Sequence, residues 1–382
     1  MSSYDDVMSQ LELLRERIRK IDEDILSLMA ERTETAKAIG QQKRLDGIPL
    51  RDWNVERLVL DRAARQAGAF GLPVELARSV MRMLIAASRA EQERTSFSTY
   101  RGTAEDILIV GGRGKMGRWF ADFFANQGHC VSIYDTCPAD DSASTATGPL
   151  APDLQDQRTL EEVLEGTTCA LICTPLDVVP TVIQQFADLH YGGIVFDIAS
   201  LKGHLKSAIT QARAAGLAIT SLHPMFGPGA RTLAGQVICV CDCGDPQATR
   251  RIEAFFTDTA VTLVKLSLDE HDRIVSYVLG LSHLTNLLFA KVLMVSGKQF
   301  KELNNVGSTT FHSQMVTTST VLAENPDLYY SIQRFNPFGE ELCESFKREL
   351  ETIAGWIRNE NREAFAEMMH AGRRWMRSDV AE

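Results

Sequence analysis

The sequence lacks several features that would assign a protein to a class at once. No segment has eighteen consecutive apolar residues, and the first thirty residues carry charges every few positions, so we expect neither a membrane span nor a secretory signal. Positive charge is not in excess: the formal net charge of -10 and the pI of about 5.4 argue against nucleic acid and anionic membranes as main partners. We therefore expect a cytoplasmic protein, in which local basic sites remain possible.

Paired cysteine motifs are also missing. The chain has 8 cysteines but no CxxC pair, and the one cluster is Cys239, Cys241 and Cys243 in "VICVCDC". Alternate residues of a strand share one face, so a metal site is conceivable there. Because no histidine lies nearby, reduced cysteines in a strand are the preferred interpretation, and no metal is expected.

The 382 residues contain 45% hydrophobic and 24% charged residues, as in a globular protein of two or three domains. Residues 1–95 show helical spacing throughout. Residues 104–266 alternate apolar strands with helical stretches, which predicts a doubly wound parallel sheet. Residues 267–382 are again mostly helical. The predicted architecture is an all-α module, an α/β domain and an all-α C-terminal domain.

The first segment predicts one long helix from about Gln10 to Lys43, followed by helices near residues 54–68 and 73–93. A helix of about 34 residues would be about 50 Å long, so it needs partners along its length. Its apolar residues recur at helical spacing: Leu11, Leu14, Ile18, Ile21, Ile25, Leu28 and Met29.

Each of these helices also presents a pair of polar residues. At about 100° per residue, Arg32 and Lys43 fall within about 20° on one helix face. Arg15 lies about 25 Å from Arg32 along the same helix, so it reaches that site only from a second chain packed antiparallel. The other pairs are at i and i+4: Asp52 with Glu56, and Ser88 with Gln92. Spacing alone favours the interpretation that these polar pairs lie on the solvent-exposed faces of an ordinary helical bundle.

The types and order of the residues in this first segment resemble those of a known family. "LRERIRKIDEDILSLMAER", Lys43, "RDWNVER" and "SRAEQ" resemble the helical class of chorismate mutase, an intertwined homodimer. The resemblance implies that arginines clamp two carboxylates of chorismate, that Lys43 and Gln92 donate to its ether oxygen, and that acidic residues hold the substituent at ring C4. The implied substrate residues are Arg15 of the second chain, Arg32, Lys43, Asp52, Glu56, Ser88 and Gln92.

A glycine turn opens the second segment. In "ILIVGGRGKMGRWF" the pattern GxGxxG lies between an apolar strand and a helix, as dinucleotide binding requires. Asp135 ends the next strand and suits two ribose hydroxyls, which favours NAD over NADP, although Arg113 inside the turn weakens that preference. The predicted cofactor residues are Gly112, Gly114, Met116, Gly117, Asp135, Thr174 and Pro175.

The motifs "CTP", "DIASLKG" and "LHPMFGP" follow in the order found in prephenate dehydrogenases. This resemblance implies that His223 removes a proton from the C4 substituent as hydride leaves C4, and that Ser200 holds His223 and the substrate. With the mutase motifs in front, residues 10 to 375 resemble the bifunctional chorismate mutase/prephenate dehydrogenases of tyrosine synthesis. The family's fold is a helical mutase domain, a Rossmann domain and a helical dimerisation domain.

The third segment contains "LGLSHLTN", which places Ser282, His283 and Asn286 within about one helical turn. The family packs this helix over the active site, so we predict that Ser282 and His283 contact the substrate. The alternative is a polar contact between two helices.

Two positions depart from the family pattern. Val55 and Thr320 each stand where the family usually has an arginine, in the mutase and the dehydrogenase respectively. The same fused architecture also resembles enzymes of p-aminophenylalanine synthesis, which process 4-amino-4-deoxy analogues of both substrates. The family's arginine at the position of Thr320 binds the side-chain carboxylate of the substrate. Arg231 is a candidate to bind that carboxylate instead. A sensor that binds ligand without turnover is a remote alternative.

Overall fold

The computed structural model describes residues 2–45, 53–94, 102–136, 159–230 and 232–377. The chain divides into two compact units. Unit 1 comprises Met1–Ala199 and Ala208–Leu266, and unit 2 comprises Ser200–Ser207 and Ser267–Glu382. The short segment Ser200–Ser207 therefore belongs with the C-terminal helices, although unit 1 precedes and follows it in the chain.

Unit 1 begins with three helices: α1 (Ser2–Leu45), α2 (Trp53–Ala69) and α3 (Val74–Arg94). The predicted single long helix is confirmed, and its 44 residues make it about 66 Å long. α3 packs against both α1 and α2. The apolar residues that predicted α1 nevertheless stay exposed in the single chain, each by at least 39%: Leu11, Leu14, Ile18, Ile21, Ile25, Leu28 and Met29.

Among the described residues, the sheet of unit 1 has seven strands in the order β2-β1-β3-β4-β5-β6-β7. The strands from β1 to β5 are parallel, which confirms the predicted doubly wound fold, but β6 runs antiparallel to β5. A parallel connection needs a crossover, usually a helix. Residues 225–236 join β5 to β6 and contain Pro228 and several glycines, so the chain turns back instead. The strands are β1 (Asp106–Val110), β2 (Cys130–Tyr134), β3 (Cys169–Ile172), β4 (Ile194–Asp197), β5 (Ala218–Pro224), β6 (Val237–Asp242) and β7 (Thr262–Ser267).

Helices cover this sheet and close an aromatic core. The core contains Phe120, Phe123, Phe124, Phe196 and Phe255, all buried. Cys239 and Cys241 are buried on β6, and the described residues contain no group of three metal-ligating side chains. The helices are α4 (Lys115–Asn126), α5 (Leu160–Leu164), α6 (Val179–Asp188), α7 (Lys206–Ala214) and α8 (Pro246–Ala254).

Residues 267–377 of unit 2 are mostly helical, as predicted. α9 (Leu268–Val275) continues through a π-helical turn (Ser276–Leu281) into α10 (Ser282–Val295), and the segment Ser200–Ser207 contributes a 3-10 turn (Gly203–Leu205). The remaining helices are α11 (Phe300–Asn305), α12 (Thr309–Leu322), α13 (Pro326–Phe335), α14 (Gly339–Arg358) and α15 (Arg362–Trp375).

The continuous helix Leu268–Val295 is the one described segment that is long and apolar enough to cross a membrane. Length and composition alone are weak evidence, since a core helix passes the same test. Asn286 lies within this helix, and its Oδ1 accepts hydrogen bonds from Gln314 Nε2 at 2.8 Å and Thr318 Oγ1 at 2.9 Å. These bonds tie α10 to α12, as in a helix packed within a protein.

Candidate active sites

Arg32 and Ser88 are the predicted mutase residues that the structure brings into direct contact. Arg32 Nη1 donates to Ser88 Oγ and, at 2.7 Å, to the carbonyl oxygen of Leu84. Ser88 is buried, and partial burial lowers the pKa of Arg32, which stays charged because its ordinary pKa is so high. Two helices thus hold one guanidinium in place.

The orientation of this guanidinium matters for binding. Both bonds use Nη1, and Nε and Nη2 of Arg32 donate to no other described residue. The Nε and Nη2 donors form one planar edge that matches the two oxygens of a carboxylate. Arg32 is therefore arranged so that it can bind a carboxylate in bidentate fashion while Ser88 fixes its other side.

Four other predicted mutase residues lie on the same three-helix module: Arg15, Lys43, Glu56 and Gln92. Lys43 is half-buried near the end of α1, Glu56 is half-buried in the first turn of α2, and Arg15 is exposed on α1. Asp52 lies outside the described residues. Gln92 is on α3, but its side chain also lies outside them.

The glycine turn of the α/β domain leaves no room for side chains. An added Cβ would lie 2.6 Å from Ile133 Cγ2 at Gly112 and 2.5 Å from the Gly111 carbonyl oxygen at Gly117. Gly111, which the GxGxxG pattern did not include, has φ +78 and would place a Cβ 2.8 Å from the Cys173 carbonyl oxygen. The adjacent "GG" in the sequence was the available signal for it.

The surroundings of this turn fit a dinucleotide. α4 begins after Gly114 without a side-chain cap, so its first amides are available to a phosphate. Asp135 Oδ2 accepts a hydrogen bond from the Arg113 amide at 2.9 Å, which ties the end of β2 to the turn. Thr174 Oγ1, just past β3, is buried and has no hydrogen-bond partner among the described residues. Met116 packs on the core and Pro175 is exposed.

We expect Gly117→Ala to weaken dinucleotide binding by at least about a hundredfold, because a displacement of about 1 Å in a binding loop has costs of that order. The new methyl group would meet backbone atoms that cannot rotate away. Gly192→Ala is the matched control, since a Cβ there meets nothing within 4 Å. Titration of each variant with dinucleotide measures the effect, and equal affinities would contradict it.

His223 is near the end of β5 and is only 4% exposed. Ser221 points to the same strand face, is fully buried, and its Oγ has no hydrogen-bond partner among the described residues. The indole of Trp119 donates to the Ala230 carbonyl oxygen at 2.6 Å and packs on Phe226, so α4 supports the turn after His223. Sequence reasoning missed Ser221 and Trp119; the two-residue spacing from His223 was the available signal for Ser221.

In unit 2, His283 is 8% exposed and stacks on Tyr329 with ring centroids 4.1 Å apart. Its Nδ1 has no hydrogen-bond partner among the described residues, and burial lowers the pKa of this imidazole, so it is neutral near pH 7. Ser282 is exposed and donates to the Val278 carbonyl oxygen of its own helix. Asn286 contacts the neighbouring helix α12, as the alternative interpretation of these polar residues predicted.

Ser200 is half-buried at the start of the segment Ser200–Ser207. Thr320 is exposed on α12, and its hydroxyl donates to the Val316 carbonyl oxygen at 3.1 Å. Arg231 lies outside the described residues. The π-helical turn Ser276–Leu281 directly precedes Ser282, and Gln333 Nε2 donates to the Gly280 carbonyl oxygen at 3.1 Å within it.

Three family models match successive parts of the chain. Residues 14–93 match chorismate mutase type II, residues 120–264 match the nucleotide-binding domain of prephenate dehydrogenase, and residues 267–371 match its dimerization domain. The glycine turn lies just before the second match. The chain is therefore a fusion of an isomerase, chorismate mutase, with an oxidoreductase, prephenate dehydrogenase.

Two T-proteins are among the curated relatives of this chain. The chain is 26% identical to the T-protein of Enterobacter agglomerans, over 85% of this chain and 82% of that one. It is 24% identical to the T-protein of Haemophilus influenzae, over 96% of this chain and 93% of that one. The three matched domains and these similarities over most of the chain support a bifunctional T-protein.

Solved structures agree on the dehydrogenase fold. Prephenate dehydrogenase from A. aeolicus, in complex with hydroxyphenyl propionate and NAD+, has a TM-score of 0.60 at 17% identity, covering 72% of this chain and 99% of that one. Synechocystis arogenate dehydrogenase has a TM-score of 0.53 at 16% identity, covering 70% and 97%.

Proposed function

We propose that this enzyme rearranges chorismate to prephenate and then oxidises prephenate, with NAD, to 4-hydroxyphenylpyruvate and carbon dioxide in tyrosine biosynthesis. The observation that carries the proposal is the similarity to T-proteins through all three domains, up to 96% of the chain. The site residues named below are part of the proposal.

The first reaction needs no nucleophile and no proton transfer. Rearrangement of chorismate requires a compact diaxial conformer and stabilisation of the ether oxygen as its bond breaks. The Nε and Nη2 edge of Arg32 suits one substrate carboxylate, and Arg15 of a second chain suits the other. Lys43 and Gln92 donate to the ether oxygen, whereas Asp52 and Glu56 hold the C4 substituent.

The second reaction joins three changes. His223 takes the proton of the C4 hydroxyl while hydride leaves C4, and loss of the ring carboxylate as carbon dioxide makes the ring aromatic. NAD supplies the hydride acceptor, and Asp135 favours it because a carboxylate repels the 2′-phosphate of NADP. Ser200 and the neutral imidazole of His283 contact the substrate. We expect this chemistry to take place in the cytoplasm.

A homodimer is part of the proposal. The exposed apolar residues of α1 form a continuous helical stripe, and Arg15 is exposed on the same helix. In water such a stripe is stabilised by a second apolar surface. A dimerization domain is also present in unit 2.

We expect mutase activity per chain to fall on dilution through the dimer dissociation constant, because Arg15 reaches the site of Arg32 only from a second chain. Analytical ultracentrifugation and a chorismate assay at the same concentrations measure this. A sedimenting monomer with full mutase activity would refute the homodimer.

A second substrate series has one structural argument in its favour. Val55 is 52% exposed beside Glu56, at the position where the family usually has an arginine. A guanidinium about 4 Å from a substrate ammonium would cost on the order of 4 kcal/mol at an effective dielectric near 20, so a site for 4-amino-4-deoxychorismate would lack it. Thr320 does not favour either substrate series. The family's arginine at this position binds the side-chain carboxylate, and the hydroxy substrates and their 4-amino-4-deoxy analogues both carry that group.

We expect the enzyme to prefer prephenate over 4-amino-4-deoxyprephenate by at least about tenfold in kcat/KM, a ratio that a difference of about 1.4 kcal/mol produces. NAD reduction measured at 340 nm with each compound gives the ratio. A preference for the amino compound would assign the enzyme to p-aminophenylalanine synthesis. Binding of either compound without NAD reduction would indicate a sensor.

A further inference from the structure

The segment Ser200–Ser207 is attached to the C-terminal helices by one buried carboxylate. Asp272, on α9, is fully buried. Its Oδ1 accepts a hydrogen bond from the Lys202 amide at 2.8 Å, and its Oδ2 accepts one from the Gly203 amide at 2.6 Å. Because the two bonds are shielded from water, they are strong and fix two consecutive peptide groups.

The two bonds supply a cap that the local sequence lacks. The 3-10 turn Gly203–Leu205 begins after Lys202, whose side chain cannot accept a hydrogen bond, and no local side chain caps it. The first amides of a helical turn need acceptors when they are buried. Asp272 satisfies them from a position 70 residues further along the chain.

Asp272 is itself held in one orientation. His271 Nδ1 lies 2.8 Å from Asp272 Oδ1, and both side chains are almost completely buried. Asn336 Nδ2 donates to the Asp272 carbonyl oxygen at 3.3 Å. A Cβ at Gly203 would lie 2.9 Å from Asp272 Oδ2 and 3.1 Å from Pro337 Cγ, so only glycine lets the segment approach this closely.

We propose that Asp272 is a positioning residue of the dehydrogenase: it fixes the backbone that carries Ser200, two residues before Lys202, and so holds the Ser200 hydroxyl where the substrate needs it. The proposal rests on the proposed function in one respect, the contact of Ser200 with substrate. Asp272 itself touches no reacting group.

The first test replaces the carboxylate with its isosteric amide. Asp272→Asn presents an NH2 group to one of the two amides, so one of the two hydrogen bonds is lost. We expect dehydrogenase kcat/KM to fall by about ten- to hundredfold, as for other lost buried hydrogen bonds and misplaced catalytic groups. Mutase activity and dinucleotide affinity should stay within about twofold of wild type, as for substitutions away from their sites.

The matched control is Asp269→Asn on the same helix. Asp269 pairs with Lys206 at the surface, and its side chain is 69% exposed, so its loss should change dehydrogenase kcat/KM less than about threefold. Equal effects of the two substitutions would overturn the proposal.

A double-mutant cycle with Ser200→Ala separates positioning from a general structural effect. If Asp272 acts through Ser200, Asp272→Asn should cost less than about twofold in kcat/KM once Ser200 is alanine. Effects that multiply would overturn the positioning role. If Ser200→Ala alone leaves kcat/KM unchanged, the role of Ser200 in the proposed function fails instead.

Gly203→Ala tests the same contact from the other side and does not depend on Asp272→Asn folding. Its methyl group pushes against Asp272 Oδ2, so it should lower dehydrogenase kcat/KM by about tenfold or more, as for misplaced catalytic groups, and leave mutase activity intact. Gly355→Ala is its control, because a Cβ there meets nothing within 4 Å. Full dehydrogenase activity in Gly203→Ala would contradict the proposal.

Discussion

Replacing His223 with asparagine should lower dehydrogenase turnover by about 10²–10⁴-fold, because a positioned general base contributes about that much to a rate. Asparagine keeps a polar group of similar size on β5, but it cannot accept the proton of the C4 hydroxyl. His223 is nearly buried, so bulk water cannot replace it as the base. The measurement is NAD reduction with saturating prephenate, alongside conversion of chorismate by the same preparation.

His190→Asn is a suitable control for this experiment. His190 is exposed in the same unit and has φ 51, a left-handed backbone conformation that asparagine adopts readily. Its replacement should leave both activities unchanged. A folded His223→Asn variant that binds NAD normally and loses less than about tenfold in turnover would show that another group is the base.

Lys43→Ala should have the opposite effect: mutase activity falls and dehydrogenase activity is retained. Loss of one preorganised donor to a developing negative charge costs about 10²–10³-fold in turnover, and Lys43 is the proposed cationic donor to the ether oxygen. We expect that loss in the conversion of chorismate and none in the oxidation of added prephenate. A stopped assay for prephenate formation and a continuous assay for NAD reduction measure the two steps separately.

Lys37→Ala controls for the removal of a lysine from the same helix. Lys37 lies 3.9 Å from Glu34 and 4.0 Å from Glu91, and such partly exposed pairs contribute little. Its mutase activity should stay within about threefold of wild type. If Lys43→Ala disables both reactions in folded protein, the assignment of two separate sites is wrong.

Features that depend on local sequence were predictable. Apolar spacing predicted α1, α2 and α3, and the glycine pattern predicted the turn before α4, because helix faces and tight turns are determined within a few residues. The antiparallel direction of β6 was not predicted, since an apolar run shows that a strand exists but not which way its partner runs. The π-helical turn Ser276–Leu281 has no pattern that distinguishes it from an α-helix.

Resemblance offered candidates for the side chains that meet substrate, but none for the residues that support them. Resemblance supplied Arg32 and Ser88, and their contact is present in the structure. It gave no indication of Asp272, whose partners are backbone amides about 70 residues away and leave no pattern of side chains in the sequence. The sequence showed that Asn286 is a polar residue within a helix. Only the structure shows that Gln314 and Thr318 donate hydrogen bonds to it.

The attachment of the segment Ser200–Ser207 has a consequence for evolution. Asp272 binds main-chain amides, which every residue except proline provides, so the bond to position 202 does not depend on which side chain stands there. Gly203 is constrained by the crowding of Asp272 and Pro337, and Leu201 and Lys202 by complete burial of their side chains. A substitution at position 202 whose side chain fits the same buried space would therefore keep the bond that fixes the backbone beside Ser200.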